Sequence, residues 1–399
     1  MRGHFLGGAN AVETNAKVGE FRASLNRAAY KSCGCDGTNG KIQKNTVDSL
    51  RAGEDGDVAS LGKMRAIVLT DRSAKSAVAK NMAVIDSIDL LDGLITADGL
   101  RARAKFKATN RRMSFNINRS KFVNLEIAGT PVDSNVGKNT KMNLPGIGTV
   151  FLKLLKKNGN FNRRGEVRLE MIRIHVQEEN SFGLPIGSVL VVGRAKAGYS
   201  RKNIDDIIGG AAYLATLNAK SGDDAQNAVG RPGLLHVGCE GTRGKTKSER
   251  VASLDGTGIL QGGAGRSTAV GKQTRTGAMV KMTAETEAVS LLDGLVTLES
   301  IRAVSRDRIK NGKRISSARG TKVVGLTVAG ESLGTIRAKN VKIPVPTVGT
   351  LFINEVGKPP AGTRRLHQVN GLRLKANSSS TVLPAGTQLI VSHAQTRAY

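Results

Sequence analysis

The sequence contains no tryptophan, and aromatic residues make up only 3% of it. Proteins that hold single-stranded nucleic acid stack bases on aromatic side chains set among basic ones. Nine phenylalanines and four tyrosines, not interleaved with the cations, do not build such a platform. The same scarcity argues against a carbohydrate-binding surface. Cysteine is also rare: Cys33, Cys35 and Cys239 are the three, with no C-x-x-C pair and only five scattered histidines. A structural zinc site needs four ligands at suitable spacing, so no metal or other cofactor is expected. No apolar run approaches the ~20 residues of a transmembrane helix. The opening "MRGHFLGGANAVE" has no apolar segment of signal-peptide length. That predicts either a cytosolic chain or a mature secreted one. Acidic residues are few, 32 against 61 Lys and Arg, for a net charge of +29. This favours a polyanionic partner: nucleic acid, anionic wall polymer, or the acidic face of another subunit. The excess is spread along the chain, unlike a disordered basic arm.

What is abundant is glycine, 48 residues, among short runs of Val, Ile, Leu and Ala. The chain also says most things twice. "CDGTNGK" from Cys35 returns as "CEGTRGK" from Cys239. "LLDGLITADGLRA" from Leu90 matches "LLDGLVTLESIRA" from Leu291, and "KFVNLEIAG" from Lys121 matches "KVVGLTVAG" from Lys322. "KNTKMNLPGIGTVFL" from Lys138 pairs with "KNVKIPVPTVGTLFI" from Lys339, "LPIGSVLVV" from Leu184 with "LPAGTQLIV" from Leu383, and "LGGANA" at Leu6 with "IGGAAY" at Ile208. The order is preserved and the spacing nearly constant, which is the signature of an internal repeat. The expected domains are 1–199 and 207–399, joined by the polar "SRKNIDD". The alignment places Leu125 over Leu326 and Pro145 over Pro346.

Within each unit the period is two. Val123, Leu125 and Ile127, and their counterparts Val324, Leu326 and Val328, read as a core face. A one-residue slip would turn that face to water. Ile172, Ile174 and Val176 share one side of "MIRIHV". Turns sit at Asp92-Gly93, Asp293-Gly294, Pro145-Gly146, Pro185 and Pro384. The best helical window, "EFRASLNRAAYKS" from Glu20, has no counterpart and reads as a strand or one short helix. Short strands with Gly and Pro turns, and no alternating helices, predict an all-β protein of two tandem homologous antiparallel β-sandwich units.

The set "LLDGLITADGLRA", "NLEIAGTPV", "KNTKMNLPGIGTVFL" and "LPIGSVLVVGRAKA" resembles secreted actinobacterial proteins of the choice-of-anchor type, the P-like group among them. Their pattern is "L-x-I-x-G-T-P" followed by "N-L-P-G-x-G-T-V". The first unit matches better than the second. The resemblance implies an extracellular or cell-surface β-rich protein and brings no catalytic residues. Two departures stand out. Family cysteines after the "T-A-D-G-L-R-A" strand are replaced by basic and polar residues, and this chain is strongly basic where the family is neutral or acidic.

The residues themselves offer three candidate chemistries. Cys33 and Cys35 are too close to bridge each other in an extended strand, where alternate side chains stand about 6.6 Å apart. The equivalent Cys35 and Cys239 are disulfide candidates, the pairing of the three cysteines stays open, and the odd count invites an intermolecular bridge or a free thiol. "CEGTRGKT" brushes against a phosphate loop, but Cys239 stands where its first glycine belongs and "LDGTG" breaks the helix that must follow. The repeated carboxylates Asp36, Glu240, Asp92 and Asp293 sit beside glycine in turns. None of this makes a catalytic set, and the chain reads as not an enzyme.

The basic stripes are the candidate site. "RARAKFKA" alternates, placing Arg101, Arg103, Lys105 and Lys107 on one strand face and Ala102, Ala104, Phe106 and Ala108 on the other. Arg302, Arg306 and Arg308 correspond in the second unit, and the following loops add Arg111, Arg112, Lys313 and Arg314. A solvated face that keeps an edge from aggregating is the plain reading. The functional readings are a structural protein that assembles with itself into a fibre or layer, and a module that holds a polyanion.

Overall fold

The protein is described by a computed structural model over residues 3–18, 21–23, 28–52, 57–202, 208–221, 224–229, 231–256, 259–274, 277–357, 366–377, 383 and 385–398. Every regular element among these residues is a strand, and the strands form five antiparallel sheets. The chain divides into two compact units: Met1–Val18 with Arg27–Ile204, and Gly19–Asn26 with Asp205–Tyr399. Most of "SRKNIDD" and the turn at Pro384 lie outside the described residues. So does part of the Glu20 segment, whose described elements, Phe21–Ala23 and Lys31–Ser32, are strands.

In the first unit one sheet runs in the order Thr140–Leu144, Gly148–Asn158, Arg164–Val176, Val189–Ser200, His4–Val18. A second runs Met113–Asn116, Gly99–Thr109, Ser76–Ile85, Met64–Arg72, Gln43–Val47, with Lys121–Val123 also on Gly99–Thr109. A third carries the same strand lines onward: Thr130–Val132, Leu125–Ile127, Ile95–Ala97, Ile88–Leu90, Ala59–Leu61, Leu50–Ala52. The second unit has one sheet in the order Val341–Val345, Gly349–Gly357, Leu366–Ala376, Gln388–Ala398, Ile208–Ser221. Its other sheet is continuous: Lys247–Val251, Gly265–Thr274, Gly277–Leu291, Val296–Lys310, Lys322–Val328, Glu331–Ile336, with Lys313–Ser317 on Val296–Lys310. In each unit the first long strand pairs with the last, His4 opposite Ser200 and Ile208 opposite Ala398.

The sheets of each unit pack face to face. Gly99–Thr109 and Ser76–Ile85 lie across Val189–Ser200, and Val296–Lys310 and Gly277–Leu291 lie across Gln388–Ala398. The inward positions are mostly small. Ala66, Ala77, Ala79, Ala83, Ala102, Ala104 and Ala108 are buried, with Phe5, Phe106, Phe122 and Tyr199 as the large fillers of the first core. Small inward side chains let facing backbones approach. Gly193, in the left-handed region at φ +70, leaves room for Leu100, whose Cδ2 lies 2.2 Å from where a Cβ would stand.

The core face through Lys121–Ile127 differs from the sequence expectation. Leu125 and Ile127 are buried, as are Leu326 and Val328, but Val123 is 38% exposed and Val324 is only partly buried. Phe122 and Val323 point inward instead. The cause lies one residue on. Asn124 and Gly325 take left-handed φ of 47° and 64°. Each breaks the strict alternation, so Phe122 and Leu125 fall on the same side, as do Val323 and Leu326. Asn and Gly are the residues that adopt this conformation most readily.

A second irregularity crosses four adjacent strands of one sheet in each unit. In the first unit the ladder skips Lys153, Met171, Gly193 and Ala11, one on each of four adjacent strands. In the second unit it skips Asn354, Gly371, Ser392 and Leu214. Lys153, Gly193, Asn354 and Ser392 are left-handed. Met171 and Ile172 are consequently both fully buried although adjacent in sequence.

Leu125→Ala is expected to cost about 2–5 kcal/mol, the usual range for truncating a buried leucine. Val123→Ala should stay within ~0.5 kcal/mol, as for a surface substitution. Chemical denaturation of the two variants checks this; equal losses would contradict the register given above.

Candidate functional site

The repeated glycine turns are clamps. In the first unit Thr38 Oγ1 donates to the Thr70 carbonyl (3.1 Å) and accepts from Thr70 N–H (2.9 Å). In the second, Thr242 Oγ1 donates to the Gly271 carbonyl (3.3 Å) and accepts from its N–H (3.0 Å). Gly37 and Gly241, both left-handed, lie so close to Thr70 and Phe5, or to Gly271 and Ile208, that a Cβ would collide. No helix follows either turn, so the phosphate-loop geometry is absent there. Cys35 and Cys239 at the head of these turns are both disulfide-bonded. Cys33 keeps its thiol, which donates to the Gly7 carbonyl at 3.2 Å. Among the described residues no group of three His, Cys, Asp or Glu could hold a metal ion.

The stripe on Gly99–Thr109 is built as its alternation predicts. Ala102, Ala104, Phe106 and Ala108 are buried, Arg101 and Lys107 are exposed, and Arg103 and Lys105 are half-buried. Arg103 also donates to the Asn118 carbonyl (3.0 Å). The register adds cations that sequence spacing did not reveal. Lys80 lies directly opposite Lys105, and Lys121 opposite Arg101. Like charges in directly opposed pairs destabilise a sheet. The second unit repeats both: Lys281 opposite Arg306, and Arg302 opposite Lys322. There Arg302 is partly neutralised by Glu285 at 2.9 Å. Arg308 faces Met279 across the ladder. Arg111 and Arg112 are exposed in the loop after the first stripe, and Lys313 is exposed after the second.

Arg314 serves a different purpose. Its guanidinium forks onto Asp307, with Nε at 3.2 Å and a terminal nitrogen at 2.8 Å, and Ser316 donates to the same carboxylate. Asp307 is fully buried. Beside it Ser305 Oγ donates to the His367 carbonyl (2.9 Å) and lies 2.8 Å from His367 Nδ1 and 2.7 Å from Thr396 Oγ1. A serine beside a histidine suggests a nucleophile, but Ser305 is 0% exposed, its hydroxyl enclosed by these bonds. In the first unit the same hairpin positions are apolar. Phe106 pairs with Phe115 where Asp307 pairs with Ser316, and Ala108 with Met113 where Ile309 pairs with Arg314. The polar residues of "VSRDRI" at inward strand positions were the available signal, hidden by the basic residues between them.

A charged network on the first unit was also not foreseen. Glu170 is held by Arg194 (2.9 Å) and Arg173 (3.0 Å), with Arg168 at 3.4 Å, while Arg194 also binds Glu13. Burial alone would push the Glu170 carboxyl up; the guanidiniums of Arg194, Arg168 and Arg173 outweigh it and hold the carboxyl below its ordinary value. The corresponding row of the second unit holds His393, whose Nδ1 lies 2.7 Å from Asn370 Oδ1 and whose ring stacks on Tyr213 at 4.4 Å. Burial, helped by the charge of Arg231, pushes His393 down to about 3.

No protein-family model matches the sequence, and no curated protein does. The resemblance to choice-of-anchor proteins therefore rests on the strand and turn motifs alone.

Two measurements test this chemistry. Unfolded His393 titrates near 6.5, so between pH ~6.5 and ~3 the unfolded chain binds the extra proton. That part of the stability is present above pH ~6.5 and is lost as pH falls. Thermal melts should therefore move down from pH 7 to pH 4, and His393→Gln should flatten part of that slope; an unchanged slope counts against the buried neutral ring. Of three cysteines two are in disulfide linkage, leaving one thiol. Thiol titration of the unfolded, unreduced chain should find one per molecule, and three after reduction.

Proposed function

We propose that this chain is a non-enzymatic extracellular structural protein, two homologous β units in tandem, that assembles with itself through its basic strand faces. Homology of the units is supported by more than the matched segments. Leu125 and Leu326 are buried at the same place in the strand order, and Pro145 and Pro346 open the turns before Gly148–Asn158 and Gly349–Gly357. The observation that carries the functional reading is the pair of like-charged cross-strand contacts kept at the same register in both units. An arrangement that opposes its own folding, and recurs, is accounted for by an anionic surface brought from outside.

The second reading gives that role to a polyanion such as an anionic wall polymer or nucleic acid, with the same residues. The two part on what replaces the counter-charge. Self-assembly should appear as concentration-dependent growth in light scattering without any added polymer. It should weaken with salt, since exposed charges are screened beyond a Debye length of ~8 Å at physiological ionic strength. A chain that stays monomeric at all concentrations, yet is held on a polyanion column and released steeply by salt, belongs to the second reading.

A further inference from the structure

The first unit segregates its charge along its strands. Lys80 lies on Ser76–Ile85, and the same line runs on to Asp86 and Asp89. Asp98 precedes Gly99–Thr109, which then carries Arg101, Arg103, Lys105 and Lys107. Lys121 opens Lys121–Val123, and Glu126 lies on the continuation Leu125–Ile127. These lines are antiparallel neighbours, with Leu100 opposite Ile85, Ile95 opposite Leu90, and Ile95 opposite Ile127. The cations of these three lines therefore gather toward one end of the strands and their carboxylates toward the other; on the next strand, Met64–Arg72, the order is not kept, with Asp71 in the row of Val78 and Lys107 and Arg65 beside Asp86. Asp86, Asp89, Asp92, Asp98 and Glu126 are exposed. Asp89 and Glu126 both lie opposite Thr96.

The two ends cannot neutralise each other within one molecule. Thr96, opposite Asp89 and Glu126, is five residues from Arg101 (101 − 96) and nine from Lys105 (105 − 96) on one strand line, about 17 Å and about 30 Å at ~3.3 Å per residue. Those spans are about two and four times the ~8 Å Debye length. Some local pairing exists, since Arg65 binds Asp86 at 2.6 Å, but it leaves the other four carboxylates and the whole stripe. The second unit does not repeat the segregation: Glu285 sits within its stripe and pairs with Arg302.

We propose that the acidic end of the first unit, centred on Asp89, Asp92 and Glu126, docks on the basic stripe Arg101–Arg103–Lys105–Lys107 of a second copy of this chain. The occupant follows from charge complementarity: each molecule carries both halves, too far apart to meet. The contact is head-to-tail, uses different surfaces on the two copies, and propagates unless the rotation closes a ring. The docked carboxylates offset the Lys80–Lys105 and Arg101–Lys121 repulsions. This rests on the self-assembly reading and names its interface.

The test is a charge swap on the full chain. One variant carries Lys105→Glu with Lys107→Glu; the other carries Asp92→Lys with Glu126→Lys. Melting temperatures confirm folding; if the first variant does not fold, Lys105→Gln with Lys107→Gln replaces it in the single-variant comparison, and Arg101→Glu with Lys107→Glu replaces it in the mixture. Each variant alone should need at least ten-fold more protein than the wild type before light scattering rises at low salt. An equimolar mixture of the two reversed variants should recover assembly, because the new acidic stripe of one meets the new basic end of the other while the unaltered pair also matches. Variants that assemble like the wild type, or a folded mixture that stays monomeric, overturn this interface while leaving self-assembly standing. A wild-type chain that never assembles overturns the reading itself and the interface with it.

Discussion

Everything in this protein depends on strands keeping one face small and apolar. Alternate side chains of a strand point to opposite sides, so the inward set can be specified independently of the outward one. Gly99–Thr109 uses that freedom fully: three alanines and a phenylalanine line the core while four cations face out. With so few aromatics, the facing sheets must come close, and buried alanines and Gly193 allow it. The burden on the outer face follows. A chain with little choice inside places its chemical distinctness, and nearly all of its charge, outside.

The alternation is also why so much was legible. "RARAKFKA" declared its two faces, and the repeats placed Leu125 and Leu326 in the core. What failed was the assumption that alternation persists through a whole segment. Val123 and Val324 face outward because Asn124 and Gly325 reset the phase. An Asn or Gly inside a strand pattern was the only warning. The ladder breaks at Lys153 and Ser392 left no such sign, since lysine and serine seldom adopt a left-handed φ. For the basic site, spacing found the cations of one strand but not their cross-strand partners. Lys80, Lys121, Lys281 and Lys322 join the stripes only through register. Arg314 illustrates the converse: its partner Asp307 sits at an inward position that strand chemistry normally reserves for apolar groups.

That exchange separates the two units most clearly. Where the first unit packs Phe106 near Phe161 and Phe161 near Phe115, the second holds two hydrogen-bonded groups side by side, Asp307 with Arg314 and Ser316, and Ser305 with His367 and Thr396. An apolar cluster tolerates repacking, whereas removing one partner from a buried polar network strands the rest. The second unit is therefore the more sensitive of the two to single substitutions at this hairpin.

The pairing of first and last strands in each unit has a mechanical meaning. His4 lies opposite Ser200 and Ile208 opposite Ala398, so the two ends of a unit emerge at the same end of one antiparallel ladder. Hydrogen bonds in such a ladder run perpendicular to the strands. A force drawing those ends apart therefore pulls along the bonds and meets them one at a time, as in opening a zipper. Strands sheared lengthwise would instead resist with many bonds at once. A load applied only at those two ends of a ladder would peel it at low force. A load applied sideways, across the sheet faces, would not open it in this way.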